Sequence, residues 1–564
     1  MIKSVTLGAV ETLIDCGVEY TFGIPGGGAL LLYDALFQNR DRITSILARH
    51  EGAAACMADM YGRLTGKPAA VIGQGAWIGS NAAFGILEAY MSGSPMVIIT
   101  DTSDYGRLAQ YGPWQNGTGE YGAFDLPSMM RSITKYTTVA TSPDEVLHGI
   151  QLAVRHAVTG RPGPACVIAR MNLFSASYET DTLNPVMHPA AMRLETARPC
   201  IGENEAVKAA GLLASARNPV MITGIGVHTS KAYEEVKELS DFLGMPVATS
   251  YMGKSGIAET HDLALGTMGA IGQKVANETI MSADCILAVG TGLSPENTKM
   301  LSRDFINPAK QTLIHIDIEP RNVGWTIPAS LGIVSDAGTG LRKIIIELNK
   351  LGRPRDLNER IAAVKKHKEE CGYFSCAEYS SSEIPIAPER VVRDLNDSMD
   401  VNDVICLDAG NNRQWFARHF MSKKAGQVFA PGGVGGVGWG APAALAAQMV
   451  RKDSRAVAVC GDGGMMMNLH CLETAAQYRL PVLFVVLNNS ALGNIRDFQA
   501  SDRRYCTEYQ TPDFASHAKA SGCHGYTVSD PGELKKTITE ALSGSGPALI
   551  DVRVKPEPHF KLMG

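Results

Sequence analysis

The sequence predicts an α/β protein built as three doubly wound domains with mainly parallel sheets. Three observations carry this. Apolar strand-like runs alternate with helical patterns along the whole chain. Several of those runs are apolar throughout rather than alternating, which marks strands covered by helices on both faces. The 564 residues are too many for one core, and about three domains is the natural division.

The elements follow in order. "MIKSVTLGAVETLIDCGV" mixes acids into a helical pattern, so it reads as an opening helix and not a signal peptide. "PAAVIG", "PMVIITD" and "PACVIAR" are the strands of a first domain, 1–180. Tyr178–Asn204 has three prolines and no periodicity, and reads as a linker. "PVMITG", "CILAVG" and "TLIHIDI" belong to a second domain, 190–350. A charged helical stretch from Leu341 through "AAVKKHKEECGYF", followed by "SSSEIPIAPER", reads as a second linker. "DVICLDAG", "AVAVCGDG", "PVLFVVLNN" and "ALIDVRV" belong to a third domain, 375–564. Many of these runs end in Gly, Asp or Asn, and open α/β sheets gather ligands at strand carboxyl ends. The first and third domains each open with a helix and carry a glycine-rich strand end, a hint of duplication that simple identity does not strengthen.

Composition narrows the function classes. A hydrophobic content of 45% and a charged content of 19% are those of an ordinary globular protein. The net charge of −5, with both signs mixed, provides no basic field for nucleic acid. The longest apolar runs fall far short of the roughly 20 residues of a membrane span. Twelve cysteines lie scattered without a CxxC pair. Cys406 and Cys460 sit in strand-like runs and read as small core residues. The expectation is a reducing, cytoplasmic setting with no zinc ribbon or disulfide framework.

The most informative stretch runs from Ala456 to Asn489. "AVAVC" is strand-like, "GDGG" breaks it, "MMMNLHCLETAAQYRL" is helix-like, and "PVLFVVL" returns as a strand. Such a βαβ unit brings Asp462 and Asn489 to one edge of the sheet. A carboxylate and an amide oxygen there suit a hard cation such as Mg²⁺. The N–H groups of Gly463 and Gly464, at a helix start, suit phosphate. The plainer alternative is that Asp462 caps a helix and Asn488–Asn489 make a turn.

The pair of motifs, in this strand–helix–strand setting, resembles the signature of the thiamine diphosphate-dependent enzymes, and the chain as a whole resembles their acetolactate synthase-like members of the large catalytic subunit type. The resemblance spans nearly the whole sequence, including "RSITKY", "GRPGPACVIA" and "TLIHIDIEP". It implies a pyrimidine-binding first domain, a middle domain, and a diphosphate- and metal-binding third domain. In this family a glutamate of an "RHE" motif shifts the cofactor's aminopyrimidine into its imino form. "LARHEGAAACMADMYGRLTGKPAAV" places Glu51 there, with His50 as a packing or capping residue. "FGIPGGGALLLYDAL" puts Pro25 and Gly26 against the pyrimidine. "DAGNNRQWFARHF" puts Asn411 and Asn412 at the diphosphate. "APGGVGGVGWGAPAAL" makes Val437 the wedge that bends the cofactor and the Gly435 carbonyl the acceptor of its amine. "NNSALGNIRDFQ" adds the Ala491 carbonyl as a metal ligand, with Leu492 and Gly493 along the phosphates. The family's two halves of the site come from different subunits, so a homodimer or homotetramer with the active site between subunits is implied.

The departures from the family pattern concern substrate and flavin. Its Gly-Pro-Gly turn reads "GQGAWIGSN" here, with Gln74 and Trp77, and its Ala-Phe-Gln segment reads "GAFDLP", with Phe124 kept and Asp125 for glutamine. The usual methionine is Asn494, and the tryptophan that favours larger acceptors is Phe498. Arg496 suits a substrate carboxylate through paired hydrogen bonds. Gln74, Trp77, Asn494, Arg496 and Phe498 are therefore the candidate substrate pocket. The "RFDDR" segment that holds FAD reads "GLSPENTKM", so FAD loses its expected anchors. Asp317 in "IDIEP" reads either as a partner for the ribose of an adenine nucleotide or as a plain strand-end acid.

The function expected is cleavage and formation of carbon–carbon bonds at a 2-oxo acid or related small carbonyl substrate, as an acetolactate synthase-like carboligase. The alternatives are a 2-oxo acid decarboxylase, a 2-hydroxyacyl-CoA lyase, or a non-catalytic scaffold that binds the cofactor. The adjacent His-His pair of pyruvate decarboxylase-like enzymes is absent from the first domain. The Asn-Gly-Ile run usual in the lyases is replaced by "SALGNIRDFQ".

Overall fold

A computed structural model describes residues 1–104, 107–112, 115–180 and 198–558. It contains three six-stranded sheets, and every strand pair in them is parallel. The chain forms two compact units. One comprises Met1–Ala197, Gly432–Val450 and Asn468–Gln477; the other comprises Arg198–Pro431, Arg451–Met467 and Tyr478–Gly564.

The first unit holds one sheet, in spatial order Thr44–Leu47, Tyr20–Gly23, Ala69–Gly73, Met96–Thr102, Pro164–Arg170 and Tyr136–Ala140. Its central strands are buried along their length, as the continuous apolar runs predict. The helix Glu51–Thr65 is buried from Glu51 to Leu64. Such burial is possible because the helix is rich in alanine and glycine, so its neighbours approach closely. A Cβ on Gly85 of the helix Ala83–Ser92 would lie 2.6 Å from Ala55 Cβ. The helix Gly440–Val450, "GAPAALAAQMV", is also small-residue and buried, and it packs on Glu51–Thr65.

The second unit holds two sheets. One runs Ala264–Thr267, Val247–Thr249, Pro219–Thr223, Cys285–Val289, Thr312–Asp317 and Leu331–Val334. The other runs Val428–Phe429, Val404–Leu407, Ala456–Gly461, Leu483–Asn488, Ala548–Arg553 and His524–Val528. Counted in chain order within each sheet, this last sheet has the order 2-1-3-4-6-5, and so does the sheet of the first unit. The remaining sheet has the order 3-2-1-4-5-6, that of dinucleotide-binding folds. Cys406 and Cys460 are buried within strands of the last sheet.

Three local expectations change. Leu341 does not begin a linker: it lies in the helix Ala337–Leu351 and is buried with Ile344, Ile345 and Leu348. The helix has an apolar stripe at three- and four-residue spacing, and charges on its other face disguise it. Tyr178 lies in a short strand, Ser177–Glu179, antiparallel to Ile2–Ser4. Residues 181–197 of the expected linker, the boundary at 190 and the final residues 559–564 lie outside the described residues. The crossover after "GDGG" is two helices, Asp462–Met467 and Cys471–Gln477, rather than one. The break falls at Asn468, whose side-chain amide donates to the Gly438 carbonyl at 2.6 Å.

Among the described residues no helix is long and apolar enough to cross a membrane.

Candidate active site

The second unit gathers most of the candidates. Asp462 opens its helix directly after the strand Ala456–Gly461 and is buried. Its Oδ1 accepts from the Gly463 N–H and the Tyr509 hydroxyl, each at 2.8 Å, and its Oδ2 accepts from the Asn489 N–H at 3.1 Å. Burial pushes the carboxyl above the ordinary aspartate range, against the opposing pull of Tyr509 and the N–H groups of Gly463, Ser490 and Ala491. No Lys or Arg pairs with it among the described residues.

The chain after Asn489 folds back on itself. Leu492 N–H donates to the Thr507 carbonyl at 2.8 Å and Tyr509 N–H donates to the Ser490 carbonyl at 3.1 Å, which brings Tyr509 to Asp462. Leu492, at φ −70° and ψ 70°, makes an inverse γ-turn in which the Gly493 N–H donates to the Ala491 carbonyl at 2.8 Å. A Cβ on Gly493 would lie 2.9 Å from Asn489 Nδ2 and 3.2 Å from Asn411 Nδ2, so a side chain there would push these amides aside. One on Gly463 would lie 2.9 Å from Tyr509 Oη and 3.0 Å from Leu492 Cδ2. Asp462, Gly463, Asn489, Ala491, Leu492, Gly493 and Asn411 thus form one cluster, with Gly464 buried just behind.

Asn411 and Asn412 open the helix Asn411–His419. Asn412 Nδ2 donates to the Asp408 and Val459 carbonyls at 2.8 and 3.2 Å, and so ties the two strands at the point where the sheet order reverses. Asn411 Nδ2 donates to Asp497 Oδ2 at 2.9 Å, while its Oδ1 is buried without a partner. Asn494 Oδ1 is likewise buried and unpartnered. Arg496 is buried, and its Nε and Nη2 donate to Asp497 at 3.2 and 3.0 Å. Phe498 is 71% exposed.

The first unit holds the rest. His50 caps the helix Glu51–Thr65, its Nδ1 accepting from the Gly52 N–H at 3.0 Å. Glu51 is 8% exposed, and its Oε2 accepts from Asn81 Nδ2 at 2.9 Å. Asn81 ends the short helix Gly75–Ser80, which carries Trp77, 44% exposed, and is preceded by Gln74. Gln74 also faces the first glycine turn: a Cβ on Gly26 would lie 3.2 Å from its Oε1. Asp101 fixes both turns, accepting from the N–H groups of Gly28, Ala29 and Gly75. Pro25 is exposed on the same turn. Asp125, standing where the family has glutamine, caps the helix Leu126–Ile133 through the Ser128 N–H at 3.0 Å.

Gly435 and Val437 also belong to this unit. The segment is held by a residue that sequence reasoning missed. Glu88 accepts from four successive backbone N–H groups, those of Gly432, Gly433, Val434 and Gly435, at 3.0, 2.9, 2.8 and 3.2 Å. Arg63 Nη2 pairs with Glu88 and with Asp59, both at 2.8 Å, and Trp439 Nε1 donates to Asp59 at 2.8 Å. Burial alone would raise the Glu88 carboxyl; Arg63 and the N–H groups of Gly433, Val434 and Gly432 outweigh it and bring it down to about 2. The signal was present as single charges inside small-residue and apolar helices, because buried charges persist only when paired.

In the middle sheet, Asp317 is buried and its Oδ1 accepts from the Glu319 N–H at 2.9 Å. The stretch "GLSPENTKM" runs into a left-handed turn, with Lys299, Met300 and Leu301 at φ 47°, 60° and 57°.

Comparison with known proteins identifies the family. Residues 5–120 match the thiamine pyrophosphate enzyme N-terminal TPP binding domain, 206–344 the central domain, and 408–552 the C-terminal TPP binding domain. A probable acetolactate synthase large subunit of Methanococcus aeolicus is 31% identical, covering 97% of this chain and 91% of that protein. Acetolactate synthase isozyme 3 large subunit of Escherichia coli is 32% identical, covering 98% of this chain and 94% of that protein. The probable acetolactate synthase large subunit of Methanocaldococcus jannaschii is 32% identical over 96% of this chain and 90% of its own length. With all three domains matched in order and relatives aligned end to end, the chain belongs to the thiamine pyrophosphate enzymes, in the family that includes the acetolactate synthase large subunits.

Proposed function

We propose that this enzyme is an acetolactate synthase-like carboligase that acts on a 2-oxo acid and joins the retained fragment to a carbonyl acceptor. Thiamine diphosphate, when bound, supplies a thiazolium carbon that serves as the nucleophile toward the substrate carbonyl. The chain's own residues bind, orient and move protons. Asp462, the Asn489 side chain and the Ala491 carbonyl hold Mg²⁺. Gly463, Gly464, Leu492, Gly493, Asn411 and Asn412 line the diphosphate. Glu51 relays a proton at its carboxyl to the aminopyrimidine. The Gly435 carbonyl would accept from the pyrimidine amine, Val437 would hold the cofactor bent, and Pro25 and Gly26 would lie against the pyrimidine. Gln74, Trp77, Asn494, Arg496 and Phe498 form the substrate pocket, with Arg496 presenting to a carboxylate the guanidinium edge that Asp497 leaves.

The observation that carries the reading is Asp462, a buried carboxylate with no cationic side chain among the described residues, in a cluster with a glycine seated between two amides, one of them Asn411 with its oxygen unpartnered. Such a donor set favours a hard divalent cation. For FAD the residues do not make a fit. Gly224 and Gly226 press on the Gly290 backbone, Asp317 is turned onto its own loop, and "GLSPENTKM" replaces the expected anchors. We assign no flavin, and flavin bands in the spectrum of the purified protein would overturn that.

We propose domain boundaries of 1–180, 190–350 and 375–564, a homodimer or homotetramer that completes its active site between copies, and a cytoplasmic location. Because the relatives are named large subunits, a smaller partner chain is a further candidate for the assembly. The deciding experiment is calorimetric titration with thiamine diphosphate, with and without Mg²⁺, followed by a screen of 2-oxo acids with product analysis. Mg²⁺-dependent binding and a ligated 2-hydroxy-ketone product are expected. Free aldehyde would assign simple decarboxylation, cleavage of a 2-hydroxyacyl-CoA would assign the lyase, and tight binding without turnover would assign a scaffold.

A further inference from the structure

Four consecutive backbone N–H groups turned toward one point make a nest for an anion. In 432–435 that point is taken by the carboxylate of Glu88, a residue of the same unit. The segment has little else to define its path. Gly432, Gly433, Gly435 and Gly436 carry no side chains, and Val434 and Val437 are exposed, Val437 at 39%. Its backbone instead lies directly on the helix Ala83–Ser92. A Cβ on Gly433 would meet the Glu88 carbonyl and Ser92 Oγ at 2.7 Å, and one on Gly436 would meet Phe84 Cε2 at 2.1 Å. The anion is locked in turn: Ser92 Oγ donates to Glu88 at 2.9 Å, and Arg63 joins it to Asp59 and Trp439. The Arg63 guanidinium also lies 4.7 Å from the Trp439 ring centroid. Asn81, the residue that donates to Glu51, leads into the same helix, one turn before Phe84.

We propose that Glu88 is a positioning residue for the reaction: by gathering the four N–H groups of 432–435 it fixes the backbone that presents the Gly435 carbonyl and Val437, on the helical segment that also orients Glu51 through Asn81. This rests on the functional reading above. One buried charge thereby holds the wedge loop on the helix Ala83–Ser92 before any ligand arrives. Replacing the carboxylate by an amide leaves one acceptor oxygen and turns an NH₂ group toward the remaining N–H donors, so the loop must move while Arg63 keeps Asp59.

The test uses the full-length enzyme with Glu88→Gln and Gly433→Ala; the second variant displaces the loop by sterics and keeps every charge. In the cofactor-free protein, hydrogen–deuterium exchange of peptides covering 432–437 is expected to accelerate in both variants while the core strands stay protected. In the loaded protein, exchange of the cofactor's thiazolium C2 proton, read by NMR after acid quench, is expected to slow by about tenfold or more. Loss of folded fraction would lower the amplitude of that exchange, not its rate. Mg²⁺-dependent cofactor affinity is expected to stay within about threefold, since the Asp462 cluster is untouched. Should Glu88→Gln fail to fold, Gly433→Ala carries the same readouts. Wild-type C2 exchange in the folded variants overturns the role of Glu88 alone; absence of Mg²⁺-dependent cofactor binding in the wild type overturns the functional reading and this role with it.

Discussion

Two glycine-rich turns in this molecule are each gripped by a buried acid, and the grips differ. In the first unit, 432–435 wraps Glu88, whose charge is balanced by Arg63 and four N–H groups, and the carboxyl titrates at about 2. In the second, the turn at Gly461–Gly464 carries Asp462, which receives hydrogen bonds but has no cationic partner among the described residues, and its carboxyl is pushed up by burial. The sheet of the first unit and the sheet that carries Asp462 have the same strand order. The frame is shared and the charge balance is not. A carboxylate neutralised by its own chain shapes a loop; the one left without a cation is where we propose the metal binds.

The largest effect is expected at a buried acid that lies on neither turn. Glu51 lies in the first unit, accepts from Asn81, and has no cationic partner among the described residues. Glu51→Gln should lower turnover by roughly 10²–10⁴-fold with cofactor affinity retained, read by steady-state kinetics beside calorimetry. Full activity would remove Glu51 from the mechanism. Next, Asp462→Ala should abolish the stabilisation that Mg²⁺ and thiamine diphosphate give together, about 2.7 kcal/mol at a hundredfold excess over Kd. A melting temperature that still rises with both ligands would place the metal elsewhere. Trp439→Phe, in the neutralised network, should cost about 1–3 kcal/mol by leaving Asp59 short of a donor, while metal binding is unchanged. A variant as stable as the wild type in urea would show that the network does not depend on that bond.

Acid titration gives the smallest effect and the sharpest contrast of sign. The folded-state pKa of Glu88 lies below its ordinary value, so its stabilisation is complete above about 4.5 and is lost as pH falls toward 2. The folded-state pKa of Asp462 is raised, so the metal-free protein gains from its protonation as pH falls, whereas the rise in melting temperature with Mg²⁺ shrinks, beginning above the ordinary aspartate value of 3.8. A Mg²⁺ effect that held constant down to that value would contradict the environment described for Asp462.

Much of this was legible in the amino-acid order. Uninterrupted apolar runs revealed parallel sheets because strands covered on both faces have no polar side to show. Asp462 and Asn489 were placed together because a βαβ crossover fixes both strand ends on one edge. The break at Asn468 was not legible, since it depends on the Gly438 carbonyl, thirty residues away in sequence. Glu88 was hidden for a similar reason: its partners are backbone amides, which carry no residue identity. Arg496 showed its charge in the sequence, but not that Asp497 already occupies part of its fork. The charged face of Ala337–Leu351 concealed a core helix behind a linker-like composition.

The first unit is assembled from three separate lengths of chain, the last ending at Gln477. During vectorial synthesis its sheet can form early, but Glu51–Thr65 must wait for Gly440–Val450 to emerge before its outer face is covered. A nascent chain stalled before that point would present a bare alanine-rich helix carrying Asp59 and Arg63, with Glu88 of the neighbouring helix held by Arg63 and Ser92 but without the N–H groups of 432–435. Emergence of the chain through Gln477, and not of the segment up to Ala197, is the step at which this unit becomes safe from misassociation.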